Sequence, residues 1–380
     1  MRWRKMKTRG AVLGLAAVAL PVIGAAALLA NTGTVVGDIR NETASLAARA
    51  RGGKSGVGTR AAVSTGRRGS AGAGPASHKR AGSPPRAANK SVQPSFYQTP
   101  VRYSNEVIVL MYHAIDTRPI PGDVITPGVF AQELALFRQQ HFNPITYDQF
   151  CQFVSKGSPV PPNAVLITFD NGYESFYRTA YPLLLHYHEP AVLFPIVSWL
   201  QHPGMRGIFH TLTWPQVEQM HKSGLIAVQS QTYNMHSGVP VGPGESEAAT
   251  VGRVYNAATG ERETTAQYDR RVLSDLVKAR TLVAQQLHER DVDGLSYPFG
   301  DYQPSLIQLL HKAGYHYLFT AKQGWGVLRT TSPNTLFRIN SGTPNITPQG
   351  LMGTITWIAH LTHQSPGWKA PSQFIQLWKY

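Results

Sequence analysis

Apolar and polar positions alternate in blocks from about Tyr97 onward, and each block has the length of one strand or one helix. "EVIVLMYH" (106–113) and "AVLITFD" (164–170) are near-continuous apolar runs of the kind that strands buried on both faces require. "PAVLFPIV" (190–197), "LIAVQS" (225–230), "GLSYPFG" (294–300), "YHYLFTA" (315–321) and "LFRIN" (336–340) repeat the pattern. Between them lie segments with apolar residues at helical spacing: "TPGVFAQELALFRQQHF" (126–142), "YESFYRTAYPLLLHYH" (173–188) and "LTWPQVEQMHKSG" (212–224). "TAQYDRRVLSDLVKARTLVAQQLHER" (265–290), "PSLIQLLHKAG" (304–314) and "TPQGLMGTITWIAHL" (347–361) continue the series. Such alternation predicts a parallel α/β fold with right-handed crossovers, and about seven β/α units predict a closed barrel rather than an open sheet. Residues 237–263, rich in Gly, Pro and Glu, read as an insertion. No strand is followed by a Gly-rich phosphate loop, which argues against nucleotide-binding folds.

Upstream the pattern differs. Residues 1–9 carry five basic side chains and no acid, and Gly10 to Ala30 form an uncharged apolar run of 21 residues, long enough to span a bilayer. Residues 1–30 are therefore expected to be a signal anchor that leaves the following chain outside the cytoplasm. Cleavage near Ala25-Ala26-Ala27, which would release a secreted protein, is the alternative. Residues 31–96, built from Ala, Gly, Ser, Arg and Pro, read as a basic disordered linker, and 97–380 as the folded domain.

Charge sharpens this division. Of the net +15, residues 1–30 supply +5 and residues 31–90 supply +9, which leaves +1 for the rest. A nearly neutral domain speaks against a nucleic-acid partner, whereas a basic arm suits an anionic lipid or wall surface. Cys151 is the single cysteine, so an intramolecular disulfide is excluded, and its setting "YDQFCQFV" fits a small buried hydrophobe.

In a barrel of this kind, chemistry collects at the carboxyl ends of the strands. There the sequence places His113, Asp170-Asn171, Gln231 with His236, and "SYPFGDY" (296–302). Taken one at a time, each has an ordinary reading: a core histidine, a helix cap, polar loop residues, a turn. Together at one pole they form a candidate site.

The motifs "VLMYHAI", "TFDNGYESFY", "QSQTYNMH", "SYPFGDY" and "AGYHYLFT", in this order from Val107 to Leu351, resemble the NodB-homology polysaccharide deacetylases (carbohydrate esterase family four). The likeness is to the subgroup related to poly-N-acetylglucosamine deacetylases. The resemblance implies a deformed (β/α)7 barrel, a zinc or similar divalent ion, and hydrolysis of N-acetyl groups on cell-wall or exopolysaccharide hexosamines. It implies Asp170 as base, His113 as general acid and His236 as a metal ligand. It puts Tyr297, Pro298, Phe299 and Gly300 around the acetyl group, with the backbone N–H of Phe299 as an oxyanion donor. The two other ligand positions of the family's Asp-His-His set are held by Asn171 and Gln231. Neutral amide oxygens suit Ca²⁺ better than Zn²⁺. Two functions follow as expectations: a deacetylase, or a membrane-tethered glycan-binding pseudoenzyme of the cell envelope. Trp199, Trp214 and Trp325 are candidates for sugar stacking, and His360 or His363 for an alternative acid. His186, His188, His202, His210 and His221 read as surface residues.

Overall fold

The computed structural model describes residues 100–120 and 123–364, so the apolar N-terminal span and the basic linker lie outside the described residues. The barrel strands are β1 (Glu106–Tyr112), β2 (Ala164–Asn171), β3 (Ala191–Pro195), β4 (Ile226–Val228), β5 (Gly294–Ser296), β6 (Tyr317–Phe319) and β7 (Ile339–Asn340). The helices are α1 (Pro127–Gln139), α2 (Tyr147–Lys156), α3 (Tyr181–Tyr187), α4 (Val197–Gln201), α5 (Trp214–Lys222), α6 (Thr265–Leu287), α7 (Pro304–Ala313) and α8 (Pro348–Gln364).

The strands pair in parallel around a closed circuit. β1 pairs β2 over six residues, from Val107↔Ala164 to Tyr112↔Phe169, and β2 pairs β3 as far as Asn171↔Pro195. β3 then pairs β4, β5 pairs β6, and β7 returns to β1 through Leu110↔Ile339. Two joints are only single bridges, Ser230↔Leu295 between β4 and β5 and Phe319↔Leu336 between β6 and β7. The seven-stranded barrel is therefore closed but deformed at those two joints.

Local sequence accounts for the elements. Every residue of β1 and β2 is buried, as their uninterrupted apolar runs require. Thr146 and Gln149 form a capping box at the start of α2, and Thr264 and Gln267 form another at the start of α6. Gly157 and Gly314 end α2 and α7 in left-handed conformations that a β-carbon would disfavour. Inside the barrel, Val109, Leu166, Phe194 and Phe319 pack with Phe150 and Phe153 of α2. Outside it, Tyr268, Leu306 and Leu310 cover Leu295 and Tyr297. Cys151 packs partly buried against the first cluster, and burial pushes its thiol well above the usual range.

Two segments depart from the sequence expectation. The helix expected over 173–188 starts as a π-helical turn, Phe176–Ala180, closed by Tyr181 N–H donating to the Phe176 carbonyl, before α3 begins. The apolar spacing that marks a helix does not separate i→i+4 from i→i+5 bonding. The insertion 237–263 contains two antiparallel hairpins, Gly238–Gly242 with Glu245–Ala248 and Tyr255–Asn256 with Glu261–Arg262. Arg271 on α6 anchors this insertion through both Glu263 carboxylate oxygens at 2.7 and 2.8 Å and the carbonyls of Ala249 and Gly252. Among the described residues no helix is long and apolar enough to cross a membrane.

Candidate functional site

The carboxyl pole brings together the residues singled out from the sequence. Asp170 and Asn171 are the last two residues of β2, and His113 directly follows β1. Asn171 pairs with Pro195, whose carbonyl accepts from Gln231 N–H at 3.0 Å, so Asn171 and Gln231 flank the end of β3 at one level. His236 lies five residues on, and Tyr297–Gly300 follow β5.

Asp170 is 3% exposed, and its partner is a residue the sequence reading missed. Arg338, the residue before β7, is 1% exposed and grips the carboxylate with both terminal nitrogens, Nη1 to Oδ1 at 2.8 Å and Nη2 to Oδ2 at 2.7 Å. Ser296 Oγ donates to Oδ2 at 2.8 Å and accepts from Arg338 Nη2 at 2.8 Å. Thr168 Oγ1 and the Thr320 carbonyl take the guanidinium's remaining bonds at 3.2 and 3.0 Å. Burial by itself raises the Asp170 pKa, but the Arg338 charge and hydrogen bonds outweigh it and hold the carboxyl below its ordinary value. A signal for Arg338 was present in "LFRIN": a charge inside an apolar strand must find a buried partner.

Burial lowers the pKa of His113, against the opposing charges of Asp170 and Asp123, and its Nδ1 has no hydrogen-bond partner among the described residues. His236 is lowered too, first by burial, with Asp170 again opposing. Both imidazoles thus favour the neutral form, which suits an acceptor or ligand better than a proton donor.

The "YPFG" turn is rigidly set. Tyr297 is buried and its hydroxyl donates to the Asn334 carbonyl at 3.0 Å. Pro298 is buried, and Thr320 Oγ1 donates to the Gly300 carbonyl at 2.8 Å. Phe299 adopts φ 57°, a left-handed conformation unfavourable for a bulky residue, and Gly300 follows at φ 74°. The Phe299 ring is 52% exposed and lies 4.4 Å from the His236 ring, centroid to centroid. On the other side, Asn171 Nδ2 donates to the Tyr173 hydroxyl at 3.4 Å, and Tyr173 packs between Trp199 and Phe209 at 5.7 and 5.1 Å.

The remaining aromatic and histidine candidates separate. Trp199 belongs to the site's aromatic rim, and Trp214 opens α5. Trp325 precedes the short strand Val327–Leu328, which pairs antiparallel with the first residues of β1. His360 lines a cleft with Arg102 and Gln140, near the start of β1 and the end of α1, and is correspondingly no alternative acid. The His363 side chain lies outside the described residues.

The family resemblance assigns a divalent metal to His236, Asn171 and Gln231. Asn171 Oδ1 and Gln231 Oε1 are buried and have no hydrogen-bond partner among the described residues, so both oxygens keep free lone pairs. Both are nevertheless neutral, and the nearby buried carboxylate, Asp170, is already neutralised by Arg338. One imidazole and two amide oxygens do not fit zinc, which takes imidazole, thiolate and carboxylate donors.

The sequence signature of the polysaccharide deacetylases matches residues 157–318. Poly-beta-1,6-N-acetyl-D-glucosamine N-deacetylase of Escherichia coli (strain K12) is 30% identical over 210 residues, which cover 53% of this chain and 31% of that protein. The chain thus spans about a third of that relative's length. The enzyme of the same name from Staphylococcus epidermidis is 21% identical over 233 residues, 58% of this chain and 73% of that one. Among solved structures, a de-N-acetylase from Aggregatibacter actinomycetemcomitans superposes with a TM-score of 0.59 at 22% identity, over 65% of this chain and 99% of that one. The deacetylase domain of BpsB from Bordetella bronchiseptica does so with a TM-score of 0.55 at 26% identity, over 62% and 96%.

Proposed function

We propose that the domain, whose residues 157–318 match the polysaccharide deacetylase signature, binds N-acetylhexosamine polysaccharide at the carboxyl pole of the barrel and does not carry out zinc-dependent hydrolysis. One observation carries the reading. The pole keeps its shape, with Asp170 clamped by Arg338 and Ser296, while the positions that would hold zinc carry neutral Asn171 and Gln231. Isosteric replacement of a carboxylate by an amide keeps the volume and removes the charge that binds a cation. The relatives named for poly-N-acetylglucosamine deacetylation support an N-acetylated hexosamine chain as the ligand.

A second reading, retained hydrolysis of the N-acetyl amide, is favoured by the survival of Asp170, His113 and His236 in one electrostatic cluster. One experiment decides between them. The full-length protein and its Asn171→Asp/Gln231→His variant are incubated with β-1,6-linked N-acetylglucosamine oligomers and zinc, and acetate release and binding are followed. Binding by both proteins, with acetate released only by the variant, is the expected result. Acetate release by the unaltered protein at a rate matching the variant would sink the proposal.

The proposal places the domain outside the cytoplasm, tethered by the apolar run Gly10–Ala30 behind its five basic residues. Digestion of the domain by protease added to intact cells tests this placement, and complete protection would contradict it.

A further inference from the structure

The carboxyl pole holds acceptors that nothing in the fold completes. Asn171 is 6% exposed and Gln231 2%, and the side-chain oxygen of each is buried with no hydrogen-bond partner among the described residues. His113 Nδ1 is in the same condition. A buried acceptor left open destabilises the fold, so three of them at one pole point to a ligand that completes them. Their placement is fixed by neighbours. Asn171 Nδ2 donates to the Tyr173 hydroxyl at 3.4 Å, which leaves Oδ1 as the open end of that amide. Gln231 N–H donates to the carbonyl of Pro195, the residue that Asn171 pairs with, so both amides flank one strand end.

The donors beside them are already committed. Arg338 spends its nitrogens on Asp170, Ser296, Thr168 and the Thr320 carbonyl, and Ser296 Oγ donates to Asp170. Charge points the same way. Arg338 neutralises Asp170, whereas the negative charge of Asp123 acts on both His113 and His236. Open acceptors in a field without net positive charge suit a cation that brings its own donors. Zinc brings none, and it takes thiolate, carboxylate and imidazole ligands. A primary ammonium carries one charge and three N–H donors, one for each open acceptor. The N–H of an acetamide group offers a single donor and no charge.

Resting on the glycan-binding reading, we infer that Asn171 Oδ1, Gln231 Oε1 and His113 Nδ1 hold the protonated amino group of a hexosamine that has lost its acetyl group. The ammonium takes the position that the family resemblance gives to a metal, and the domain thereby recognises deacetylated residues within the N-acetylhexosamine chain.

The test is calorimetric titration of the full-length protein, with a metal chelator present, using three β-1,6-linked trimers. One is fully N-acetylated, one carries a free amino group on its middle residue, and one carries a hydroxyl in place of that amine. At about pH 6, where such an amine is protonated, the amine trimer is expected to bind at least tenfold more tightly than either of the others. Gln231→Met should cut this preference to threefold or less, and Asn171→Asp should raise it at least threefold, with melting temperatures showing that both variants remain folded. In the unaltered protein the preference should disappear at about pH 9, where the amine is neutral. Equal binding of the amine trimer and either other trimer overturns the ammonium assignment and leaves glycan binding intact. A preference untouched by pH, or by both variants, does the same. Absence of binding to all three trimers removes the glycan reading and the inference with it.

Discussion

At the residue scale, the Asp170–Arg338 pair defines the site. Two opposite charges taken out of water are costly unless every donor and acceptor is used, and here Ser296, Thr168 and the Thr320 carbonyl complete the set. Removing one partner strands the other. Arg338→Met should therefore destabilise the domain by about 3–5 kcal/mol. Asp170→Leu/Arg338→Met together should cost clearly less than the sum of the single changes. Denaturant unfolding of the two single variants and the double variant measures both. The neighbouring amides Asn171 and Gln231 act differently. The double change Asn171→Asp/Gln231→His supplies the negative charge and the second imidazole that zinc needs, so zinc should raise the melting temperature of that variant by several degrees. The unaltered protein should shift little, and an equal shift in both proteins would contradict the donor-set argument.

At the element scale, one turn shapes the functional pole and one helix cap supports the barrel wall. The Tyr297–Gly300 turn needs the freedom of Gly300, whose φ is 74° and where an added β-carbon would lie 2.7 Å from Ala321 N and 2.8 Å from Ala321 Cβ. Gly300→Ala should accordingly cost about 1–3 kcal/mol and weaken oligomer binding, because the turn carries Phe299 over His236. Thermal unfolding combined with titration checks it, and a fully stable variant with unaltered binding would refute it. The second device is the cap at the start of α6. Thr264 and Gln267 cap the 23-residue α6, which covers the barrel and anchors the hairpin insertion through Arg271. Thr264→Ala should cost about 0.5–2 kcal/mol in denaturant unfolding and leave binding unchanged.

At the scale of the whole molecule, the barrel buries carboxyl groups that the site does not use. Glu106 at the start of β1 and Glu133 on α1 are both fully buried, and burial pushes each up to about 8 from an ordinary 4.5. Glu133 Oε2 accepts from the Tyr112 hydroxyl at 2.9 Å, and Thr362 hydrogen-bonds Glu106, each only partly opposing the burial. A carboxyl whose folded pKa is raised gives its full stability below about pH 4.5, and loses it as pH rises through about 8. The denaturation midpoint should therefore fall between about pH 5 and 8.5, and Glu106→Gln/Glu133→Gln should flatten that fall. A midpoint that rises over this interval in the unaltered protein would contradict the assignment.

Much of this protein was legible in its order of residues. Apolar runs and helical spacing specify each barrel strand and most helices because burial on both faces, or on one, leaves its own period in the sequence. The motifs ending β1, β2, β4 and β5 mark the functional pole, because a parallel barrel puts all its carboxyl ends on one side. That neutral Asn171 and Gln231 stand where the resemblance expects metal ligands is likewise visible in the sequence, since it is a matter of residue type. Only the tertiary structure decided who partners Asp170. Arg338 is 168 residues away in sequence, and the closure of β7 against β1 brings them together. It also decided that His113 and His236 are buried enough to favour their neutral forms, since desolvation depends on what packs around a group. The packing of Trp199 against Tyr173 and the cleft against the hairpin at 205–210 belong to the same class. A sequence records which groups are present and at what period, whereas partnership, burial and cavities arise only when distant segments pack.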